Sequence, residues 1–352
     1  MPGLGAVGEP YLRTVRQACT AALDNDPAFT ELLNRLIVES DGLPPAELTA
    51  ALPPIANAIA NTSPGLSGWL SLVCGSWIEG GADPDPVGAV IVDRTARVAN
   101  AAVLFADAWT AAGGGPLPDM EQDQPTAEIL GVVTPELDDF DELAMLSWFT
   151  LPQHVQAACT VLQMGPRVRA GVTDRADQIQ VATQAARHWE PTGFVEKLLR
   201  VLDDEPILVL HRELRRGWTV RISGIGDNFQ LQTLLAGALV GRAGGLPGTP
   251  PDPRVLASFT DSDVADAPTV TAWWNLVDPR GEWIWNEGVP ADIPLFDGTR
   301  VVVLDPLPYA RSWNAGRQFP LMTAKLTVVT EHPPEQLSTW WPRLAPAQTL
   351  RQ

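Results

Sequence analysis

Apolar residues recur at helical spacing through the first two hundred positions of the chain. Apolar positions three and four residues apart, in runs bounded by proline and glycine, predict amphipathic helices. The segment 86–112 is apolar on most of its faces, so we expect it at the centre of its lobe. Residues 112–125, which are rich in glycine, proline and acids, are typical of a surface loop. The predicted helices cover residues 11–23, 27–39, 45–60, 65–78, 86–112, 135–149, 152–163, 174–188 and 192–202.

The pattern changes after residue 204, where short runs of β-branched and aromatic residues replace the helical spacing. The turn Asp278-Pro279-Arg280-Gly281 is a strong hairpin signal, and residues 243–253 have the composition of a linker. Helices followed by strands predict an α+β fold, with a helical lobe at 1–203 and a strand-rich, mainly antiparallel lobe at 204–352. The predicted strands are 206–210, 218–222, 269–277, 282–286, 299–304 and 323–330, with helices at 229–240 and 333–344.

The charge of the chain is concentrated in its N-terminal half. The 352 residues carry a net charge of −18, and residues 36–166 hold 17 acids but only two basic residues, Arg94 and Arg97. A field of this sign repels phosphate groups, so we expect no binding to nucleic acid or to anionic membrane surfaces. The charge is explained by solubility or, alternatively, by a docking face for a basic protein partner.

Several sequence features bear on the compartment. No apolar run approaches the roughly 18 residues of a membrane span, and the N-terminus lacks the basic and apolar regions of a secretory signal. The three cysteines are far apart and odd in number, which does not suit a disulfide framework. We therefore expect a cytoplasmic protein.

Two short motifs give little evidence of chemistry. Asp138, Asp139 and Glu142 fit an aspartate-rich pattern that could share Mg²⁺ on a helix, but no second metal-binding motif accompanies it. Acids in a first helical turn also complement the helix dipole, so we predict no metal and no cofactor. The second motif, Gly224-x-Gly226, lacks the third glycine of a dinucleotide fingerprint and the lysine of a P-loop.

The Gly224 motif is therefore interpreted as a capped turn between a strand and a helix. A ligand bound there would contact Asp227, Asn228 and Gln230, which are the polar groups at the start of the predicted helix.

Tryptophan is the most unusual feature of the composition. Trp283 and Trp285 are two residues apart on a predicted strand, so they share a face. Core packing is the ordinary explanation, but indole rings are also favoured in binding pockets. Seven of the 13 tryptophans follow residue 270: Trp273, Trp274, Trp283, Trp285, Trp313, Trp340 and Trp341.

Polar residues alternate with these aromatics, as a pocket for a polar ligand requires. Glu287 or Asp292 could act as a general base if a tryptophan desolvates it in part. The alternative is a set of loops held by ion pairs. The predicted ligand contacts here are Trp285, Asn286, Tyr309, Arg311, Asn314 and Arg317.

We predict a binding or accessory protein that recognises a peptide or polar small molecule in the C-terminal lobe, a role that would suit a biosynthetic pathway. The alternative is a metal-independent tailoring enzyme, a lyase, hydrolase or isomerase, that uses the carboxylates of Glu287 and Asp292 in the same pocket.

Overall fold

The computed structural model describes residues 8–242 and 244–348. The chain has an α+β fold and divides into two compact units, Met1–Leu199 and Arg200–Gln352, which we call unit 1 and unit 2. The described part of unit 1 is helical, and the strands of the described chain all lie in unit 2.

Unit 1 is built around two long helices, α5 and α7, which pack along each other. Phe105 of α5 stacks on Trp148 of α7 with ring centroids 5.4 Å apart, and Ala102 is buried beside it. The central position expected for the apolar segment 86–112 is therefore confirmed. The helices are α1 (Gly8–Leu23), α2 (Phe29–Ser40), α3 (Pro45–Asn61), α4 (Pro64–Glu79), α5 (Asp85–Ala111), α6 (Ala127–Leu137), α7 (Asp141–Met164), α8 (Pro166–Gly171), α9 (Arg175–Ala185) and α10 (Thr192–Leu199).

Helix α7 differs from the prediction because it runs without a break through Pro152. A proline inside a helix removes one backbone hydrogen bond, and burial of its neighbours Leu151 and Val155 compensates for that loss. The predicted helix at 135–149 is also wrong at its start. Asp138 has a positive φ of 48° and separates α6 from α7.

Unit 2 contains a central sheet with strand order β4-β6-β1-β2-β8, and β5 pairs with β6. The β1–β6 pair is parallel, and the other pairs in this sheet are antiparallel. The strands are β1 (Glu205–His211), β2 (Arg216–Ser223), β3 (Val270–Thr271), β4 (Asn275–Val277), β5 (Leu295–Phe296), β6 (Thr299–Asp305), β7 (Ser312–Trp313) and β8 (Lys325–Glu331). The helices are α11 (Asn228–Leu239), α12 (Pro253–Thr260) and α13 (Pro334–Leu337).

Alternate residues of the central strands enter different cores. Val209 and Val302 pack with Leu235 of α11, whereas Leu210 and Val303 pack with Leu337 of α13. Since successive side chains of a strand point to opposite faces, both faces of the sheet are covered. This explains why the middle of β1 and of β6 is apolar at every position.

The aromatic part of unit 2 is less regular than predicted. The predicted strand at 269–277 is split into β3 and β4, and the segment 282–286 forms only a bridge between Val277 and Trp283. Trp273, which lies between β3 and β4, donates a hydrogen bond from its Nε1 to the Thr249 carbonyl. The short helix α12, just after the predicted linker, was not predicted from the sequence.

The helix predicted at 333–344 is also shorter in the structure. It consists of α13 and a separate 3₁₀ turn at Trp341–Arg343. Pro342 lacks the N–H that would continue the α-helical hydrogen bonds.

Candidate functional site

A cavity of about 360 Å³ lies in unit 2 beside the turn that begins at Asp278. It brings the start of α11 next to the segment between β4 and β5. The residues that line it are Asn228, Asp278, Glu282, Trp283, Ile284, Trp285, Gly288, Asp292, Ile293 and Pro294.

Asn228, the first residue of α11, is held rigidly at this cavity. Its backbone N donates to the Gly288 carbonyl at 2.9 Å, and its Nδ2 donates to the Trp285 carbonyl at 2.8 Å. The second bond fixes the orientation of the amide, because the reversed amide would place two oxygens in contact. Asn228 is only 1% exposed, and its Oδ1 has no hydrogen-bond partner.

Asp278 presents a second buried oxygen without a donor. Its Oδ1 accepts from the backbone N of Arg280 at 2.8 Å and of Glu282 at 2.9 Å, which stabilises the turn. Its Oδ2 is buried and has no hydrogen-bond partner, although the residue is only 1% exposed. Such an atom costs free energy unless a donor reaches it.

Aromatic rings form another part of the site. The Trp283 and Trp285 rings pack with centroids 5.7 Å apart, although their segment is not the predicted strand. Tyr309 packs against Trp283 at 6.1 Å. Trp283 is anchored by a hydrogen bond from its Nε1 to the Gln348 carbonyl, whereas Trp285 is 53% exposed. Trp285 therefore offers an open aromatic surface at the cavity.

Arg311 supports these rings and does not line the cavity. Its Cζ lies 5.6 Å from the Trp283 centroid and 5.5 Å from the Tyr309 centroid. Its Nη2 donates to Asn275 Oδ1 at 2.8 Å. The predicted ligand contacts Tyr309 and Arg311 thus pack against Trp283 and are not among the residues that line the cavity.

The two carboxylates proposed as bases are not buried beside tryptophan. Glu287 is exposed and does not line the cavity. Asp292 lines the cavity but is half-exposed, with Oδ1 paired to Arg200 and Oδ2 accepting from Val289 N at 2.9 Å. A carboxylate engaged on both oxygens is held as a structural anion, which gives little support for proton transfer.

The remaining predicted contacts have structural roles or lie outside the cavity. Asp227 caps α11 by accepting from Gln230 N at 2.8 Å. Gln230 is buried between Gly226 N and the Phe259 carbonyl. Asn286 is buried, and its Oδ1 accepts from Gln232 Nε2 at 3.3 Å.

Two predicted contacts come from the segment after β6. Asn314 is exposed. The side chain of Arg317 is buried, and its Nη2 donates to Asp263 and to the Pro320 carbonyl. Of the full predicted set, the cavity lining brings together Asn228, Trp285 and Asp292.

Asp278 and Glu282 are lining residues that the sequence did not identify as ligand contacts. The only signal available was an aspartate opening a tight turn between two tryptophan-bearing segments. In the sequence, stabilisation of the turn is a sufficient explanation for that aspartate. In the structure its Oδ1 does accept a hydrogen bond from a backbone N–H of the turn. That the second oxygen, Oδ2, is buried without a hydrogen-bond partner is seen only in the folded structure.

The glycine motif at Gly224 has a steric explanation. Gly224 has a φ of 63°, and a Cβ at this position would overlap the Thr323 carbonyl oxygen. A glycine is needed for this backbone approach whether or not an anion binds there.

The described residues place no group of three or more His, Cys, Asp and Glu side chains where it could hold a metal ion. Asp138 and Glu142 do not share one helix, because Asp138 precedes the start of α7. Each helix within the same described ranges is too short or too polar to cross a membrane.

Comparison with known proteins found no matching family model, no matching curated protein and no matching solved structure.

Proposed function

We propose that this protein is a binding protein whose unit 2 recognises a polar small molecule or part of a peptide in the cavity beside Trp285. One observation carries the proposal: Asn228 and Asp278 line the same cavity, and each buries an oxygen that lacks a hydrogen-bond donor. Ligand sites commonly combine aromatic walls with a few fixed polar groups in about 300–1,000 Å³. The cavity, at about 360 Å³, has this character and suits a small ligand or one side chain of a peptide.

Replacing Trp285 with alanine is expected to weaken ligand binding at least about tenfold, because an exposed indole at a pocket contributes much of its binding energy. The fold should be preserved, since the ring is 53% exposed. Ligands found by thermal shift in a panel of amines, amino acids, nucleotides and short peptides would be titrated by calorimetry. Trp69→Ala in unit 1 is the matched control, because Trp69 is 51% exposed. Equal affinities for the two variants would count against the proposal.

The alternative of a tailoring enzyme receives less support from the same geometry. It needs a desolvated carboxylate with a free oxygen facing the substrate. Glu287 is exposed, and both oxygens of Asp292 are engaged.

A second candidate function concerns unit 1, where we propose a docking site for a basic amphipathic helix of a protein partner. An apolar groove of about 460 Å³ includes Leu33, Ile37 and Trp69. Ile37 is 46% exposed and Trp69 is 51% exposed, which leaves apolar surface open to solvent. The stretch 36–166, which contributes much of unit 1, carries a net charge of −15. An apolar groove in an acidic unit complements a helix with one apolar and one basic face.

A labelled helical peptide of leucine and lysine would test this docking site by fluorescence anisotropy. We expect binding that weakens with salt and falls about tenfold in Trp69→Ala, while Trp285→Ala binds as the wild type does. The same peptide with glutamate in place of lysine should not bind. Equal binding of both peptides, or no effect of Trp69→Ala, would contradict the docking site.

A further inference from the structure

We infer that the ligand of the unit 2 cavity carries a cation with N–H donors, namely a guanidinium or a primary ammonium group. The inference rests on the proposed function, because it names the ligand chemistry of the same cavity. Three properties of the cavity lead to it: the charge of its lining, its buried acceptors and its aromatic wall.

The lining is acidic. Asp278, Glu282 and Asp292 contribute carboxylates, and none of the described residues in the lining is basic. Arg200 neutralises Asp292. Within the described part of the chain, Asp278 and Glu282 form no ion pair. The carboxylates of Asp278 and Glu282 therefore favour a cationic ligand over an anionic one.

The buried polar atoms of the lining require donors. Asn228 Oδ1 and Asp278 Oδ2 are both acceptors in need of an N–H group. A guanidinium offers five N–H donors and a primary ammonium three, whereas a quaternary ammonium offers none. These two acceptors therefore favour a guanidinium or a primary ammonium group over a quaternary ammonium group.

The aromatic wall already holds a cation on this chain. The Arg311 guanidinium lies 5.6 Å from the Trp283 centroid and 5.5 Å from the Tyr309 centroid. The neighbouring Trp285 ring packs against Trp283 and is half-exposed. A ligand cation on the face of Trp285 would make the same kind of interaction, which strengthens when the site excludes water.

Calorimetry with four small probes tests the inference. Butylguanidinium is the expected ligand, butylurea is its neutral analogue, pentanoate is the anionic analogue, and tetraethylammonium is a cation without N–H groups. We expect butylguanidinium to bind at least about tenfold more tightly than butylurea or tetraethylammonium, because each of these lacks the charge or the donors. Pentanoate should not bind.

Two variants locate the interaction. Asp278→Asn keeps an oxygen for the turn but replaces the second oxygen with an amide NH₂, so butylguanidinium should bind at least about tenfold more weakly. Glu282→Gln should weaken binding about two- to fivefold, as loss of an exposed charge does. Glu335→Gln, an exposed acid of α13 outside the lining, is the matched control and should leave the affinity unchanged. If Asp278→Asn does not fold, Glu282→Gln carries the test, since its side chain is exposed.

The outcomes separate this inference from the proposed function. Equal binding of butylurea, binding of tetraethylammonium as tight as that of butylguanidinium, or binding of pentanoate that Trp285→Ala abolishes would overturn the cationic ligand and leave the cavity as a binding site. Butylguanidinium affinity equal in wild type, Asp278→Asn and Glu282→Gln would also overturn it. Failure of every probe, together with every ligand of the wider panel, would overturn the proposed function as well.

Discussion

Replacing Gly224 with alanine is expected to lower the free energy of unfolding of unit 2 by about 3 kcal/mol. The φ of 63° alone makes alanine unfavourable by about 1 kcal/mol. The larger part comes from overlap of the new Cβ with the Thr323 carbonyl oxygen. That backbone cannot withdraw freely, because the next residue, Ala324, is buried and donates its N–H to the Thr260 carbonyl at 2.8 Å.

Gly298→Ala is the matched control for this effect. Gly298 has a φ of 76°, but a Cβ there would meet nothing within 4 Å. It should therefore cost about 1 kcal/mol, the backbone contribution only. Urea unfolding followed by tryptophan fluorescence gives both values. Equal losses for the two variants would contradict the steric explanation of Gly224.

Lowering the pH from 7.5 to 4.5 is expected to destabilise unit 1 through His154. Its Nε2 lies 3.1 Å from the Pro64 carbonyl, which assigns the proton of the neutral ring to that atom. Nδ1 is buried without a partner. Burial lowers the pKa of His154 to about 4, and the nearby positive charge of Arg94 contributes in the same direction.

The sign of the effect follows from the two pKa values. The unfolded chain takes up a proton near pH 6.5, whereas the folded protein resists it until about pH 4. The histidine leaves stability unaffected above pH 6.5, and the penalty grows by about 1.4 kcal/mol per pH unit as the pH falls toward 4. The full loss is on the order of 3 kcal/mol.

His154→Gln isolates this contribution from the many carboxylates of the chain. Glutamine can keep a donor for the Pro64 carbonyl but does not titrate. The wild type should lose about 2–3 kcal/mol more than the variant between pH 7.5 and 4.5, measured by urea unfolding at both pH values. Parallel losses in the two proteins would show that His154 is not the group responsible.

Much of the fold could be predicted because its periodic signals are strong. The segment that became α5 is apolar at helical spacing for seven turns, and no local alternative competes with that pattern. The prediction was wrong at Pro152, because a proline in the sequence ordinarily indicates the end of a helix. The packing of Leu151 and Val155 that overrides the rule comes from tertiary contacts.

The candidate site could be predicted only in part. Tryptophans interleaved with polar residues indicated the part of unit 2 that contains the cavity, and Trp285, Asn228 and Asp292 of the predicted set line it. Whether a carboxylate is exposed, paired or buried depends on neighbours far away in the chain. Asp292, for example, pairs with Arg200, which is 92 residues away. Asp278 was not predicted as a site residue, because its role in the turn is a sufficient explanation for an aspartate in the sequence. The burial of its second oxygen is seen only in the folded structure.

Fluorine NMR of the protein labelled with 5-fluorotryptophan tests the ligand site most directly, because it reports separately on each of the 13 tryptophans. Single replacements by phenylalanine assign the resonances. On titration with butylguanidinium, the resonances of Trp283 and Trp285 should shift in a saturable way, and those of Trp69 and Trp148 in unit 1 should not move. Shifts confined to tryptophans away from the cavity, with Trp283 and Trp285 unchanged, would contradict the proposed site.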